Sequence, residues 1–360
     1  MDSERNDYSQ PGRSPDGPKS GPEPVPVPPR ANPPYPPFAQ RPRTSGWRIL
    51  WGVLFGLSVL ANVGLFLLLI VVVFVLSGGA GYGEAVLREG PRSSRIAVVN
   101  IDGVIDESQA DEVYRQLKAA REDGAVKGVI LRVNSPGGTI SASDRIYREI
   151  VNFRNEQGLP VIAFMQGMAA SGGYYACAAC DEILAEPTAI TGSIGVIMSH
   201  FVFQELLENK LGIQPVYVTK GQKKDWPSSF RKPSDEELAY LDERLLEPAY
   251  QRFIRVVKEG RSKVLGDEEV RKLADGSIFV GEEAVKVELI DKTGYLDDAI
   301  ATVKTRVGID KAQVIEYRKP LSVMDLLMTQ GRAKTSLLHL DSAKLFELGT
   351  PQVLYLWHGY

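Results

Sequence analysis

The sequence reads RIAVVNIDGVI at residues 95–105, DEVYRQLKAARE at 111–122 and VKGVILRVN at 126–134. The first and third stretches are apolar runs with the length of buried strands, and the second has the apolar spacing of an amphipathic helix. Together they predict one β-α-β unit. The alternation continues with a helix at 139–153 and a strand at 160–169. Strands that alternate with helices predict an α/β fold with a largely parallel sheet covered by helices.

The second half of the chain continues this pattern with longer connections. We predict a short helix of small residues at 171–180, a helix at 202–212, a strand at 215–221 and a long helix at about 234–261. In such sheets, functional residues collect in loops at the carboxyl ends of strands. Three glycine-rich junctions, NSPGG, MAASGGYY and TGSIG, are therefore the first places to search for a site.

Composition excludes several classes of function. The chain has 360 residues and a formal net charge of -3, with 42 basic and 45 acidic residues, so no overall field attracts nucleic acid. Two cysteines exclude a disulfide-stapled scaffold, and three widely separated histidines disfavour a zinc or iron enzyme. We therefore do not expect a histidine-rich metal site.

The first 94 residues divide into a tail, an anchor and a linker. Residues 1–46 hold 13 of the 23 prolines and hardly an aliphatic side chain, which predicts a disordered segment. Ile49–Leu76 then carries 28 residues without a charge, where about 20 are needed to cross a bilayer. We predict a transmembrane helix at 47–76 and a linker at 77–94.

Arginines lie on both sides of this helix, so their number alone does not set its orientation. Those that flank the entry of the apolar run are closer to the hydrocarbon boundary, which favours a cytoplasmic tail and an extracytoplasmic body. The arginines at the entry are Arg41, Arg43 and Arg48, and those after the exit are Arg88, Arg92 and Arg95.

Ser171 lies at a predicted strand-to-helix junction in Met168-Ala-Ala-Ser-Gly-Gly-Tyr174. Small neighbours leave its hydroxyl accessible to a substrate, and the start of a helix favours developing negative charge. An N-cap role for Ser171 is equally compatible with this motif. The glycines of the NSPGG junction, Gly137 and Gly138, could offer amide groups to an oxyanion, or could simply form a turn.

A serine nucleophile needs a base, and the sequence offers two candidates. His200 follows the predicted strand after Ser171, with a spacing compatible with a Ser-His-Asp arrangement. Lys224 follows the predicted strand at 215–221 and could reach the same sheet edge. A lysine base near neutrality needs its pKa lowered by about three units, which requires burial away from carboxylates.

Five motifs in order make the chain resemble the signal peptide peptidases of the protease IV type. They are NSPGGTISASDRIYREI, MAASGGYYAC, ITGSIGVI, GQKKD and ADGSIFVGEEAVKVELIDKTGYLDDAI, within about residues 95–305. The resemblance implies a Clp-protease/crotonase-like spiral of β-β-α units in a domain at 95–305. It makes Ser171 the nucleophile and Lys224 the general base, with Lys223 as a nearby competitor. It also implies that Ser193 holds the lysine amine and that Gly137 and Gly138 form the oxyanion site.

The resemblance further implies a single-pass membrane serine endopeptidase with its catalytic domain outside the cytoplasm. It would cleave signal peptides and other membrane-associated peptides through an acyl-enzyme, without a cofactor. Short members of the family assemble as a ring or dome whose dyads join two subunits. A Clp-like Ser-His protease and a crotonase-fold thioester enzyme remain alternatives.

Two features fall outside this resemblance. Residues 306–360 match the family pattern weakly, and we expect the apolar end PQVLYLWHGY to dock on the body or on a neighbouring copy. Cys177 and Cys180 have C-x-x-C spacing, but they replace small residues on a predicted helix, where the geometry for a disulfide is poor. We expect them to be buried packing residues.

Overall fold

The computed structural model describes residues 46–78, 83–318 and 352–357. The predicted disorder of the Pro-rich tail concerns residues that lie almost wholly outside these ranges. The helix α1 (Gly46–Gly78) contains the predicted span at 47–76. Within Gly46–Val73, an 18-residue window has a mean hydropathy of 2.7 and no buried residue. By length and composition this helix is a candidate membrane span.

The rest of the described chain forms an α/β body. Its strands are β1 (Gly83–Arg88), β2 (Arg95–Asp102), β3 (Val126–Ser135), β4 (Gly137–Thr139), β5 (Val161–Ala170), β6 (Glu182–Ala185), β7 (Ile190–Gly192), β8 (Ile197–Ser199), β9 (Ile278–Val280), β10 (Lys292–Thr293), β11 (Gln313–Arg318) and β12 (Gln352–Leu356). Its helices are α2 (Glu107–Glu122), α3 (Ile140–Gln157), α4 (Gly172–Cys177), α5 (Asp235–Leu241), α6 (Glu247–Arg261), α7 (Asp267–Leu273), α8 (Gly281–Lys286) and α9 (Leu296–Val307), with π-helical turns at Leu206–Lys210 and Asp242–Leu246.

The main sheet has the strand order β1-β11-β2-β3-β5-β6-β10, and β7 joins it beside the end of β5. All pairs are parallel except β1 with β11 and β7 with β9. This confirms the predicted parallel sheet, which needs helices on both faces because its strands are buried on both sides. Along β3, Val129 and Leu131 pack in the larger core, whereas Ile130 packs on the opposite face with Val303 of α9.

A second, small sheet has the order β4-β12-β8 and is antiparallel. Its middle strand comes from the end of the chain, so the apolar C-terminal residues dock on the body, as the sequence predicted. The main sheet also extends beyond the boundaries expected at 95–305. Its strand β1 lies in the predicted linker, and β11 lies in the predicted C-terminal extension.

One predicted strand is wrong. Residues 215–221 form neither helix nor strand, and Val216 and Val218 are 84% and 97% exposed. The alternating apolar side chains are those of a strand, but in the described chain no neighbouring strand pairs with this segment. The long helix predicted at 234–261 is present as α5 and α6, which are joined through the π-helical turn Asp242–Leu246.

Candidate active site

Ser171 occupies a sharp turn between β5 and α4. Its backbone has φ 52° and ψ −115°, a conformation that costs a non-glycine residue about 1–3 kcal/mol. The turn is held by the Ser171 amide, which donates to the Gly192 carbonyl at 2.8 Å. A strained strand-to-helix turn of this kind directs a nucleophilic serine out of a sheet edge. Ser171 is only 1% exposed.

Ser193 lies beside Ser171 at the end of the neighbouring strand. The parallel pairing of β5 with β7 matches Ala170 to Gly192, so the residues that come next, Ser171 and Ser193, lie at the same level along the two strands. Ser193 has a similar left-handed backbone, with φ 51°, and its amide donates to the Ser277 carbonyl at 2.7 Å. Neither serine hydroxyl has a hydrogen-bond partner among the residues that the structure describes, so both are free to bind another group.

The predicted oxyanion glycines lie against the turn that carries Ser171. Gly137 has φ 99°, and a Cβ on it would lie 2.7 Å from the Gly172 amide nitrogen. The Gly137 amide donates to Ser135 Oγ at 3.0 Å, so this N–H is already used. The other amides beside this turn are those of Gly138 and Gly172, and a Cβ on Gly172 would lie 3.2 Å from the Gly138 amide nitrogen. Sequence analysis missed Gly172, although the amide after a nucleophilic serine is a recurrent oxyanion donor.

The strand β12 covers this site. Tyr355 pairs with Gly138, and Trp357 donates its amide to the Pro136 carbonyl at 2.9 Å. A Cβ added to Gly137 would collide with β12, because it would lie closer to the Tyr355 carbonyl oxygen than to the Gly172 amide nitrogen. The backbone of β12 thus runs through the site as an extended peptide, with one carbonyl placed at the glycine amides.

The side chain of Tyr355 fills an aromatic pocket next to the site. It is fully buried, its ring stacks on Tyr175 with centroids 5.1 Å apart, and it lies 4.8 Å from the ring of Phe253. Its hydroxyl donates to the Ala249 carbonyl at 2.6 Å. The pocket is therefore apolar along its walls and has one hydrogen-bond acceptor at its end.

A charged pair closes the outer side of this pocket. Asp144 accepts a hydrogen bond from Tyr175 at 2.5 Å and forms an ion pair with Arg252 at 2.9 Å. Burial is the main cause that raises the pKa of Tyr175, and the bond to Asp144 adds to it. Burial also raises the pKa of Tyr147 to about 12. These phenols stay protonated at neutral pH, so they act as walls and hydrogen-bond donors.

Lys224, the predicted base, lies in an exposed turn, where its own backbone amide donates to the Gly221 carbonyl at 3.1 Å. No hydrogen bond or ion pair in the described part of the chain joins it to Ser171 or Ser193. The structure thus brings together Ser171, Ser193 and the glycine amides, but not the lysine. His200, the alternative base, has its Nε2 3.0 Å from the Ser228 carbonyl and is likewise not joined to Ser171.

The segment before Lys224 exposes an unusual number of large apolar side chains. Seven of them are at least half exposed in this single chain: Phe201, Leu206, Leu211, Ile213, Val216, Tyr217 and Val218. Apolar surface of this extent usually marks a contact with another protein or with a membrane.

Cys177 and Cys180 are free, buried thiols, as the sequence predicted. Burial raises the pKa of both, which keeps them protonated and unreactive near neutral pH. Among residues 46–78, 83–318 and 352–357, no cluster of three or more His, Cys, Asp or Glu side chains could hold a metal ion.

Comparisons with known proteins match the sequence of this chain to proteases. The profile of peptidase family S49 matches residues 154–310, and that of Clp protease matches residues 91–189. The chain is 38% identical over 246 residues to an Enterococcus faecium protein named signal peptide peptidase SppA, covering 65% of this chain and 70% of that protein. It is 34% identical to Protease 4 of Haemophilus influenzae, over 64% of this chain and 37% of that protein. It is also 34% identical to the chloroplastic serine protease SPPA of Arabidopsis thaliana, over 62% of this chain and 33% of that protein.

Proposed function

The chain belongs to peptidase family S49 and is a serine endopeptidase, and we propose that Ser171 and Lys224 form its catalytic dyad. The observation that carries the proposal is the strained turn of Ser171, which lies beside the amides of Gly138 and Gly172. That arrangement supplies a nucleophile and an oxyanion site at one sheet edge. The relatives are named as proteases, and no specific observation favours a thioester substrate or a Ser-His pair.

The reaction proceeds through an acyl-enzyme. Ser171 Oγ attacks the peptide carbonyl carbon while its proton passes to the neutral amine of Lys224, and the oxyanion accepts hydrogen bonds from the two glycine amides. The C–N bond then breaks, and the lysine returns the proton to the leaving amine. Water activated by the same lysine hydrolyses the ester. The free hydroxyl of Ser193, at the level of Ser171, holds the lysine amine in place.

The lysine is supplied by a neighbouring copy of the chain. In the single chain, Lys224 is exposed and follows the apolar segment that contains Val216 and Val218. Packing of that segment against a second subunit would bury its apolar side chains and bring a lysine into a drier environment, as a lysine base requires. We propose a closed homo-oligomer, a ring or dome, in which each site combines the serine of one subunit with the lysine of the next.

Peptide substrates bind as an added strand between β4 and β8. The strand β12 shows that an extended segment fits there, with hydrogen bonds on both edges and a side chain in the aromatic pocket. Recognition through the backbone tolerates many sequences, and the pocket adds a preference for a large apolar side chain. Signal peptides left in the membrane after cleavage, and other membrane-associated peptides, offer such side chains in abundance.

The helix α1 holds the enzyme at the cell membrane. Its 28-residue candidate span is long enough to cross a bilayer, and the arginines nearest to its apolar part lie at its N-terminal end. We place the N-terminus in the cytoplasm and the catalytic body outside it, where signal peptides emerge. Protease added outside spheroplasts should then digest the body and spare the first 46 residues; protection of the body would reverse this orientation.

An activated-serine probe tests the dyad in the detergent-solubilised full chain. The wild type should be labelled on Ser171, and Ser171→Ala should abolish both labelling and peptide hydrolysis. Lys224→Ala should lower kcat by about 10³-fold or more, because the base is lost. Lys223→Ala and His200→Ala are the matched controls and should retain most activity. An inactive His200→Ala together with an active Lys224→Ala would replace the dyad with a Ser-His pair.

A further inference from the structure

The turn that carries Lys224 contains three consecutive charged residues, and two of them are fixed by contacts. Lys223 places its Nζ 3.9 Å from the ring centroid of Tyr240 and 4.7 Å from that of Trp226. Asp225 accepts hydrogen bonds from a guanidinium group across the turn. Lys224 lies between them and, within the described residues, has no side-chain partner.

The guanidinium belongs to Arg231, which bridges two carboxylates. Its Nη2 and Nε donate to Asp225 Oδ2 at 3.0 and 3.3 Å, and its Nη1 donates to Glu237 Oε2 at 2.6 Å. The two carboxylates raise the pKa of Arg231, so its guanidinium stays charged at any working pH. These contacts connect α5 to the turn that carries Lys224.

Glu237 anchors this series of contacts in the protein interior. It lies in the first turn of α5, is 0% exposed, and has only one carboxylate oxygen paired, whereas Oε1 is buried without a partner. A buried carboxylate is costly unless a cation compensates it. Because Arg231 is that cation, the position of its guanidinium is strongly determined, and so is the position of Asp225.

We propose that Arg231 and Glu237 are positioning residues for Lys224. Glu237 holds Arg231, and Arg231 holds the Asp225 carboxylate away from the lysine next to it. The inference rests on the proposed role of Lys224 as general base. It explains how a lysine can serve as a base although an aspartate follows it directly, since a free carboxylate nearby would stabilise the charged ammonium form. Lys223, occupied by two aromatic rings, is excluded from the same role.

The test is Arg231→Met in the full chain, which removes the guanidinium and keeps much of the side-chain volume. We expect kcat to fall about 10-fold to 100-fold, because the base is misplaced, while KM changes less than about twofold. We also expect the rise of kcat/KM with pH to move to higher pH, because Asp225 is released toward the lysine. The charged groups around this turn are Lys223, Lys224, Asp225, Arg231 and Glu237.

The double variant Arg231→Met/Asp225→Asn separates the charge effect from a structural one. Without the carboxylate, the pH profile should return toward that of the wild type even if kcat stays low. A profile that does not move in Arg231→Met, or moves and is not restored in the double variant, would overturn the proposal. The matched control is Arg145→Met, which breaks a similar bridge to Glu107 and Asp111, at 2.6 and 2.7 Å, and should keep the wild-type kcat and pH profile.

Folding and the underlying dyad are checked separately. If Arg231→Met unfolds because Glu237 is left uncompensated, Arg231→Met/Glu237→Leu removes the buried carboxylate as well as the half-buried guanidinium and should fold with the same low kcat and shifted profile. Wild-type kcat and profile in that folded variant would refute the proposal. Lys224→Ala tests the dyad itself: if it remains active, the proposed base is wrong, whatever Arg231→Met does.

Discussion

Replacing Tyr355 by alanine should make the enzyme bind peptide substrates more tightly. The strand β12 occupies the edge between β4 and β8, and Tyr355 fills the aromatic pocket beside Ser171. A substrate that binds as an added strand must displace this segment. The C-terminal strand is therefore an intramolecular competitor, and its strength depends on the contacts of one tyrosine.

The size of the effect follows from those contacts. Burying a large, mainly apolar side chain contributes about 2 kcal/mol. The hydroxyl bond to the Ala249 carbonyl, at 2.6 Å, contributes about 1 kcal/mol more. About 3 kcal/mol corresponds to roughly a 100-fold change in an equilibrium constant. Tyr355→Ala should thus lower KM by up to about 100-fold, and kcat should stay constant because the competitor is absent at saturation.

The assay is hydrolysis of an internally quenched apolar peptide by the full chain, with thermal unfolding measured alongside. Tyr355→Phe is the matched control: it keeps the ring stacking on Tyr175 and loses only the hydroxyl bond, so KM should fall about fivefold. If folded Tyr355→Ala shows the wild-type KM, the strand does not compete with substrate. A higher KM would mean that Tyr355 helps to build the substrate site.

Three further outcomes are expected. Mixing Ser171→Ala and Lys224→Ala subunits, each inactive alone, should restore about a quarter of wild-type activity after joint reassembly, whereas mixed oligomers without activity would place the dyad within one chain. Gly137→Ala should lower kcat by about 100-fold, because φ 99° and the adjacent backbone oppose a side chain, while Gly158→Ala, at an open helix end with φ 63°, should keep its activity. Burial raises the pKa of Cys177, so alkylation of this thiol at pH 8 should require unfolding, and rapid labelling of the native protein would contradict this. The free energy of unfolding should also fall above about pH 8.5, because only the unfolded-state thiol ionises there.

The parallel core of the fold could be predicted from sequence because burial on both faces leaves a direct pattern. Strands such as β3 read as continuous apolar runs, and helices such as α3 keep the spacing of one apolar face. The segment at 215–221 shows the limit of that logic. Its alternating apolar residues resemble a strand, but a strand also needs a neighbouring edge, and residues 46–78, 83–318 and 352–357 do not supply one.

The candidate site was predictable in its residue types and only partly in its geometry. The small residues around Ser171 indicated a turn that leaves its hydroxyl accessible. The structure confirms the turn and adds its left-handed backbone and the contact of Gly172 with the NSPGG junction, but Ser171 is only 1% exposed. The bond from the Gly137 amide to Ser135 Oγ has no sequence signature, because it depends on the path of the loop. The distance of Lys224 from Ser171 could not be predicted either, since it depends on surfaces that a single sequence does not pair.

The equal level of Ser171 and Ser193 makes the spacing of the site a property of the backbone. Adjacent strands lie about 4.8 Å apart, so the backbone pairing of β5 with β7 sets the separation between Ser171 and Ser193. Side-chain substitutions along these strands can alter packing without changing this separation. A one-residue deletion in β7 would instead shift Ser193 by about 3.3 Å and turn it to the opposite face. The site is therefore tolerant of changes in composition and intolerant of changes in strand length.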